Sequence, residues 1–119
     1  MSTLEVSNLT DGTTTVGTSY VVNGSAKATS VYNQLTDTTE FSFNISSFTD
    51  AGTGDLYHNL TNTLTSNKQV TNASNSYAGG WPGVYARGTS STYVRTLSRS
   101  SSSTNADAII SMVCHGDLA

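Results

Sequence analysis

The chain has 119 residues and a net charge of -3, with 8 acidic against 5 basic side chains. That balance supplies no cluster of Lys and Arg to neutralise phosphates, so nucleic acid is not expected as a partner. The length fits one domain with a modest core, and 19 Ser and 20 Thr against 11% charged residues favour strands and turns over disorder.

Leu4 and Val6 alternate with polar neighbours before Asp11-Gly12 punctuates the chain. Tyr20, Val21 and Val22 form a short run closed by Asn23-Gly24, a pair that tolerates positive φ and reads as a turn. The opening MSTLEVSNLT lacks a basic region before an apolar core, and no apolar run approaches the ~20 residues of a membrane-spanning helix. Neither a leader nor membrane insertion is expected. Residues 1–23 carry little that builds a core and are expected to form an extended docking arm, with Leu4, Val6 and Leu9 as its contacts.

Residues 24–119 hold the remaining elements. A strand is expected over 25–35, followed by the clearest amphipathic strand, with Phe41, Phe43 and Ile45 on one face and Ser42, Asn44 and Ser46 on the other. Leu56, His58 and Leu60 then share a face opposite Tyr57, Asn59 and Thr61. Residues 65–76 are polar and read as a strand with a loop, while 84–88 and 91–100 read as paired strands. The nearly continuous apolar run at 108–116 predicts a central strand covered on both sides. No stretch has sustained helical spacing. The pattern predicts an all-β, antiparallel β-sandwich of jelly-roll-like form. Three Phe, one Trp and six Tyr make a thin core for a lone sandwich, so burial between copies is expected in an obligate homo-oligomer.

Few residues offer chemistry. Asp50 and Asp55 bracket a glycine-rich tetrapeptide, but positions 52 and 54 are glycines, no closing glutamate follows, and the lysine and helix of a phosphate loop are missing. A hairpin turn explains the pattern better. His58 and His115 are the only histidines, and Cys114 and His115, adjacent on a strand, point to opposite faces and cannot converge on zinc. No nucleophile elbow or paired-carboxylate arrangement is present. No metal, cofactor or enzyme activity is expected. Five N-x-S/T sequons occur, at Asn8, Asn23, Asn44, Asn59 and Asn72, as chance would supply in a chain this rich in these residues.

Residues 77–95, YAGGWPGVYARGTSSTYVR, contain the only Trp and the only Pro. Aromatics with arginine on a glycine-rich loop are common binding material, so Tyr77, Trp81, Tyr85 and Arg87 are the candidate contacts for a glycan or protein. Trp81 reads either as such a contact or as a plug in the end of the sandwich.

Three stretches, NGSAKA at 23–28, FNISSFTDAGTGDLYHNLT at 43–61 and VCHGDLA at 113–119, together with the opening STLEVSNLTD, resemble short virion proteins and fibre-tip domains of tailed phages, marine ones in particular. A tryptophan often follows GSAKA in that family, where this chain has Thr29. The resemblance implies a structural virion protein without enzyme activity, in a homotrimer whose copies intertwine or pack tightly. Its implied role is a tail-fibre or spike tip, or a knob, in host-surface attachment. The alternative is a capsid decoration (cement) or head-fibre protein. A second virion protein is the expected partner for the arm, and host-surface glycan or protein for the loop.

Overall fold

The computed structural model describes residues 2–76, 83–101 and 104–118, the side chains of 83 and 87–89 excepted. Within them the chain is all-β and antiparallel apart from one short helix. Ten strands form a two-stranded hairpin and two four-stranded sheets.

The hairpin lies in the arm. Strands β1 (Asn8–Thr10) and β2 (Thr15–Gly17) pair with Leu9 opposite Val16. Between them Asp11 turns the chain, its Oδ1 accepting from Thr13 N (2.9 Å) and Thr14 N (2.7 Å), with Gly12 at φ 95°. These backbone donors also hold the Asp11 carboxyl below its usual pKa. Tyr20, Val21 and Val22 then form no strand but lie in helix α1 (Thr18–Gly24). Aromatic and β-branched residues are poor helix formers, so local contacts decide the outcome. Ser25 N donates to Val21 O (3.0 Å), and the Lys27 ammonium donates to Val22 O, placing a cation on the negative end of the helix. The arm is therefore a hairpin plus a helix, not one extended stretch, and none of residues 2–25 is buried.

One sheet has the order β4-β3-β10-β7 and the other β5-β6-β9-β8. The strands are β3 (Ala28–Asn33), β4 (Thr38–Phe43), β5 (Ile45–Gly52), β6 (Asp55–Leu60), β7 (Val70–Ser76), β8 (Gly83–Thr89), β9 (Tyr93–Arg99) and β10 (Ile109–His115). The two sheets face each other in a β-sandwich-like arrangement. One apolar cluster joins Ala28, Met112 and Cys114 to Leu60, Leu64 and Val94, and a second joins Tyr32 and Ile110 to Leu56. The period-two pattern places Leu56, His58 and Leu60 inward as expected.

Two expectations fail. Phe41 and Phe43 share a face, but β4 is an edge strand and they remain 55% and 56% exposed on the outside of the sheet. Ile45 does not continue their strand, because Asn44 adopts φ 56° and the chain crosses to the other sheet. Asn44 pins this corner: its amide donates to Lys27 O (2.9 Å) and Asn62 O (3.2 Å), and its Oδ1 accepts from Asn62 N (2.7 Å). Likewise β10 is central in its sheet but covered on one side only. Ile110, Met112 and Cys114 are buried, whereas Ile109, Ser111, Val113 and His115 are half-exposed.

The sandwich has two unlike ends. At one, called proximal, lie Ala28, Asn44, Leu60, Cys114 and helix α1. At the other, distal, lie the β5–β6 hairpin tip, Ser98 and the paired residues Ser76 and Ile109. The seven residues of β10 separate them by roughly 20 Å.

Candidate functional site

Asp50 and Asp55 do not converge. Asp50 Oδ1 accepts from Gly52 N (2.9 Å) within the turn, as a hairpin requires. Asp55 forms a two-pronged ion pair with Arg95 on the neighbouring strand, at 2.8 Å from Nε and 2.5 Å from Nη2. The carboxylate raises the Arg95 pKa further above its already high value. At the tip, Gly54 N donates to Asp107 Oδ1 (2.7 Å), and Gly54 O accepts from Ser98 N (2.7 Å). Among the described residues no group of three or more His, Cys, Asp or Glu side chains gathers as a metal site.

The histidine on the inner face of β6 is fully buried. His58 Nδ1 lies 2.8 Å from Ser30 Oγ on the opposing sheet, and Nε2 lies 3.0 Å from Thr96 Oγ1 on its own sheet. The Phe48 ring meets it edge-on at 5.4 Å between centroids. Desolvation lowers its pKa to about 4, so the imidazole is neutral near pH 7. A Ser-His pair would be nucleophile and base in an open cleft, but here both side chains are sealed and no carboxylate contacts the ring. The pair instead ties the two sheets together, between the two apolar clusters.

Of the four loop candidates, Tyr77 and Trp81 lie outside the described residues, as does the side chain of Arg87. Tyr85 is on β8, 39% exposed, with the Arg99 guanidinium 5.1 Å from its ring centroid. On the same outer sheet face lies an arrangement the sequence did not disclose. Tyr57 and Tyr93 meet edge-to-face at 5.0 Å, and Arg95, held by Asp55, stands 5.1 Å over the Tyr57 ring. Alternation had set Tyr57 opposite Leu56. Only the register Tyr57↔Arg95 and Asn59↔Tyr93 brings the group together.

At the proximal end the arm candidates Leu4, Val6 and Leu9 are exposed by 86%, 43% and 46%. Here α1 and the sandwich enclose an open cleft of about 730 Å³, within the range of binding pockets. Val21 and Val22 line it from the helix, Phe43 and Leu118 from the sandwich, with Lys27 and Asn44 between. The cleft is assembled from four separate stretches of the chain, at 21–27, 43–44, 61–62 and 117–118. Asn44 joins residue 27 to residue 62, and Leu118 bridges to Leu64.

The chain matches no family model, and no curated protein or solved structure shows significant similarity to it.

Proposed function

We propose that the protein is a structural component of a tailed-phage particle, most simply a tail-fibre or spike tip or knob that attaches to the host surface. The observation that carries this reading is convergence. The stretches that resemble phage fibre proteins, at 23–28, 43–61 and 113–119, are far apart in sequence, yet Lys27, Phe43, Asn44, Thr61 and Leu118 from all three line the one cleft beside the arm. In this reading the arm and cleft form the assembly end. Residues 1–23 dock through Leu4, Val6 and Leu9, and the copies form a homotrimer.

The opposite end is then the free one. Strand β7 ends there at Ser76 and β8 begins there at Gly83, opposite Arg99, and the connection between them carries Tyr77 and Trp81. Tyr85 stands beside it as an exposed aromatic contact for host glycan or protein, backed by the half-buried Arg99 guanidinium. The reading includes no enzymatic step and no cofactor.

A second role, capsid decoration or head fibre, is favoured by the apolar outer face around Phe41 and Phe43, which would suit a broad contact with a shell. Immunogold labelling or a cryo-EM map of phage particles separates the two. Density at fibre ends supports attachment, density over the icosahedral shell selects decoration, and absence from particles overturns the proposal.

A further inference from the structure

Lys27 has an unusual position in the proximal cleft. It is only 7% exposed, and its ammonium donates solely to uncharged oxygens: Val22 O, Ser25 O (3.2 Å) and Ser25 Oγ (2.8 Å). Asp117 also lines the cleft but forms no ion pair with it. A buried cation without an anion is costly, since the protein oxygens replace water without neutralising the charge. Around it the cleft is walled by Val21, Val22, Phe43 and Leu118. The complementary ligand is an acidic residue flanked by aliphatic ones.

The chain carries such a sequence in the open. Leu4-Glu5-Val6 belongs to no strand or helix, all three residues are exposed, and Leu4 is among the most exposed apolar side chains of the protein. The elements that follow it also need support. An isolated two-stranded hairpin and a seven-residue helix are each marginal in water, and their Leu9, Val16 and Tyr20 stand exposed.

We infer that Leu4-Glu5-Val6 of a second copy enters this cleft, the two aliphatic side chains packing on Val22, Phe43 and Leu118 while Glu5 neutralises Lys27. This arm-to-cleft contact is head-to-tail, and a rotation that closes turns it into a ring in which every arm is paired. The inference deepens the assembly part of the proposed function and does not depend on host attachment.

Sedimentation velocity of the full chain at micromolar concentration tests it. The wild type associates. Leu4→Asp and Glu5→Lys each weaken association at least tenfold while leaving thermal unfolding of the dissociated chain unchanged, because both residues are exposed. Adding Lys27→Glu to Glu5→Lys restores part of the loss. If that double variant fails to fold, a Leu4→Cys, Leu118→Cys pair carries the test: under oxidation it yields covalent dimers and higher species. A wild type that stays monomeric overturns the inference and leaves the cleft to another protein. Association indifferent to Leu4→Asp overturns it in favour of the Phe41–Phe43 face, and a cross-link confined within single chains overturns it in favour of the arm closing on its own cleft. Monomers that are nonetheless found on phage particles would sink this inference alone, whereas associating copies missing from particles would sink only the phage reading.

Discussion

At the distal end of the sandwich the backbone is locked to itself, whereas at the proximal end apolar side chains stand in solvent around a cleft. The distal lock is short-range: Gly54, Ser98, Ala106 and Asp107 exchange backbone and carboxylate hydrogen bonds so closely that a side chain at 54 has no room. Even here the fit has a cost, since the buried Gln34 amide has no hydrogen-bond partner. The proximal end is also tied by hydrogen bonds, from Lys27 N to Cys114 O (2.7 Å), from Thr65 N to Asp117 O (2.8 Å) and those of the corner residue Asn44, yet it leaves Phe43, Leu118, Val22 and Leu4 uncovered. Apolar area left in solvent gains stability when it is covered, and at the proximal end it surrounds a cleft, whereas at the distal end Leu35 is exposed with no cleft beside it among the described residues. In the proposed function the exposed area around the cleft makes the proximal end the assembly end.

The strongest test of the distal lock is Gly54→Ala. Gly54 adopts φ 68°, and a Cβ there would overlap the Ser98 carbonyl oxygen and approach the Ala106 backbone at 2.8 and 2.9 Å. Because those neighbours are backbone rather than flexible side chains, the loss is expected to be roughly 3 kcal/mol or more in denaturant unfolding. A loss under about 1 kcal/mol would mean that the tip is loose and the two ends are alike.

The belt between the ends responds to pH. His58 titrates at about 4 when folded and at its ordinary 6.5 when unfolded, so the unfolded chain binds the proton first as pH falls. Its contribution is complete above 6.5 and lost progressively between 6.5 and 4, amounting to about 3 kcal/mol over that window. The ring's hydrogen-bond and aromatic partners among the described residues are Ser30 from β3, Thr96 from β9 and Phe48 from β5, with no carboxylate to hold an imidazolium. Unfolding free energy measured from pH 7 to 4 should fall steeply in the wild type and less so in His58→Gln. Equal slopes would remove His58 as the source.

Asn44→Ala should cost about 2 kcal/mol, since three hydrogen bonds of the amide and the tolerance of φ 56° are lost together. Asn44→Gly, which keeps the backbone conformation, should cost less, and the difference isolates the backbone component. Leu9→Ser completes the series with an expected change under about 0.5 kcal/mol in the dissociated chain, because the side chain is half-exposed on the hairpin of the arm, where no residue is buried. A larger loss would place the arm inside the folding unit of the sandwich.

Much of the strand pattern was legible because it is local. Alternation located β3, the β5–β6 hairpin and the inward set Leu56, His58 and Leu60, and the pairing of β8 with β9 followed from their proximity. Alternation, however, identifies a face without saying which side it meets, and the face that Phe41 and Phe43 share is the outer one. The corner at Asn44 depends on hydrogen bonds to residues 27 and 62, far off in sequence. Helix α1 contradicted the strand propensity of Tyr-Val-Val because Lys27, five residues beyond Val22, secures its end. The cleft and the Tyr57–Tyr93–Arg95 group were invisible for the same reason: each comes from strand register or chain crossing, which residue periodicity does not encode.

The lone thiol offers a different view of this protein. Cys114 is fully buried on β10, its Sγ donating to Gln69 Oε1 at 2.7 Å, and burial raises its pKa. A thiol-modifying reagent can reach it only when β10 parts from the facing sheet, so the chain contains its own clock for breathing of the proximal core. Should copies associate as inferred, that clock would time how firmly a neighbour shuts the end that a single chain leaves ajar.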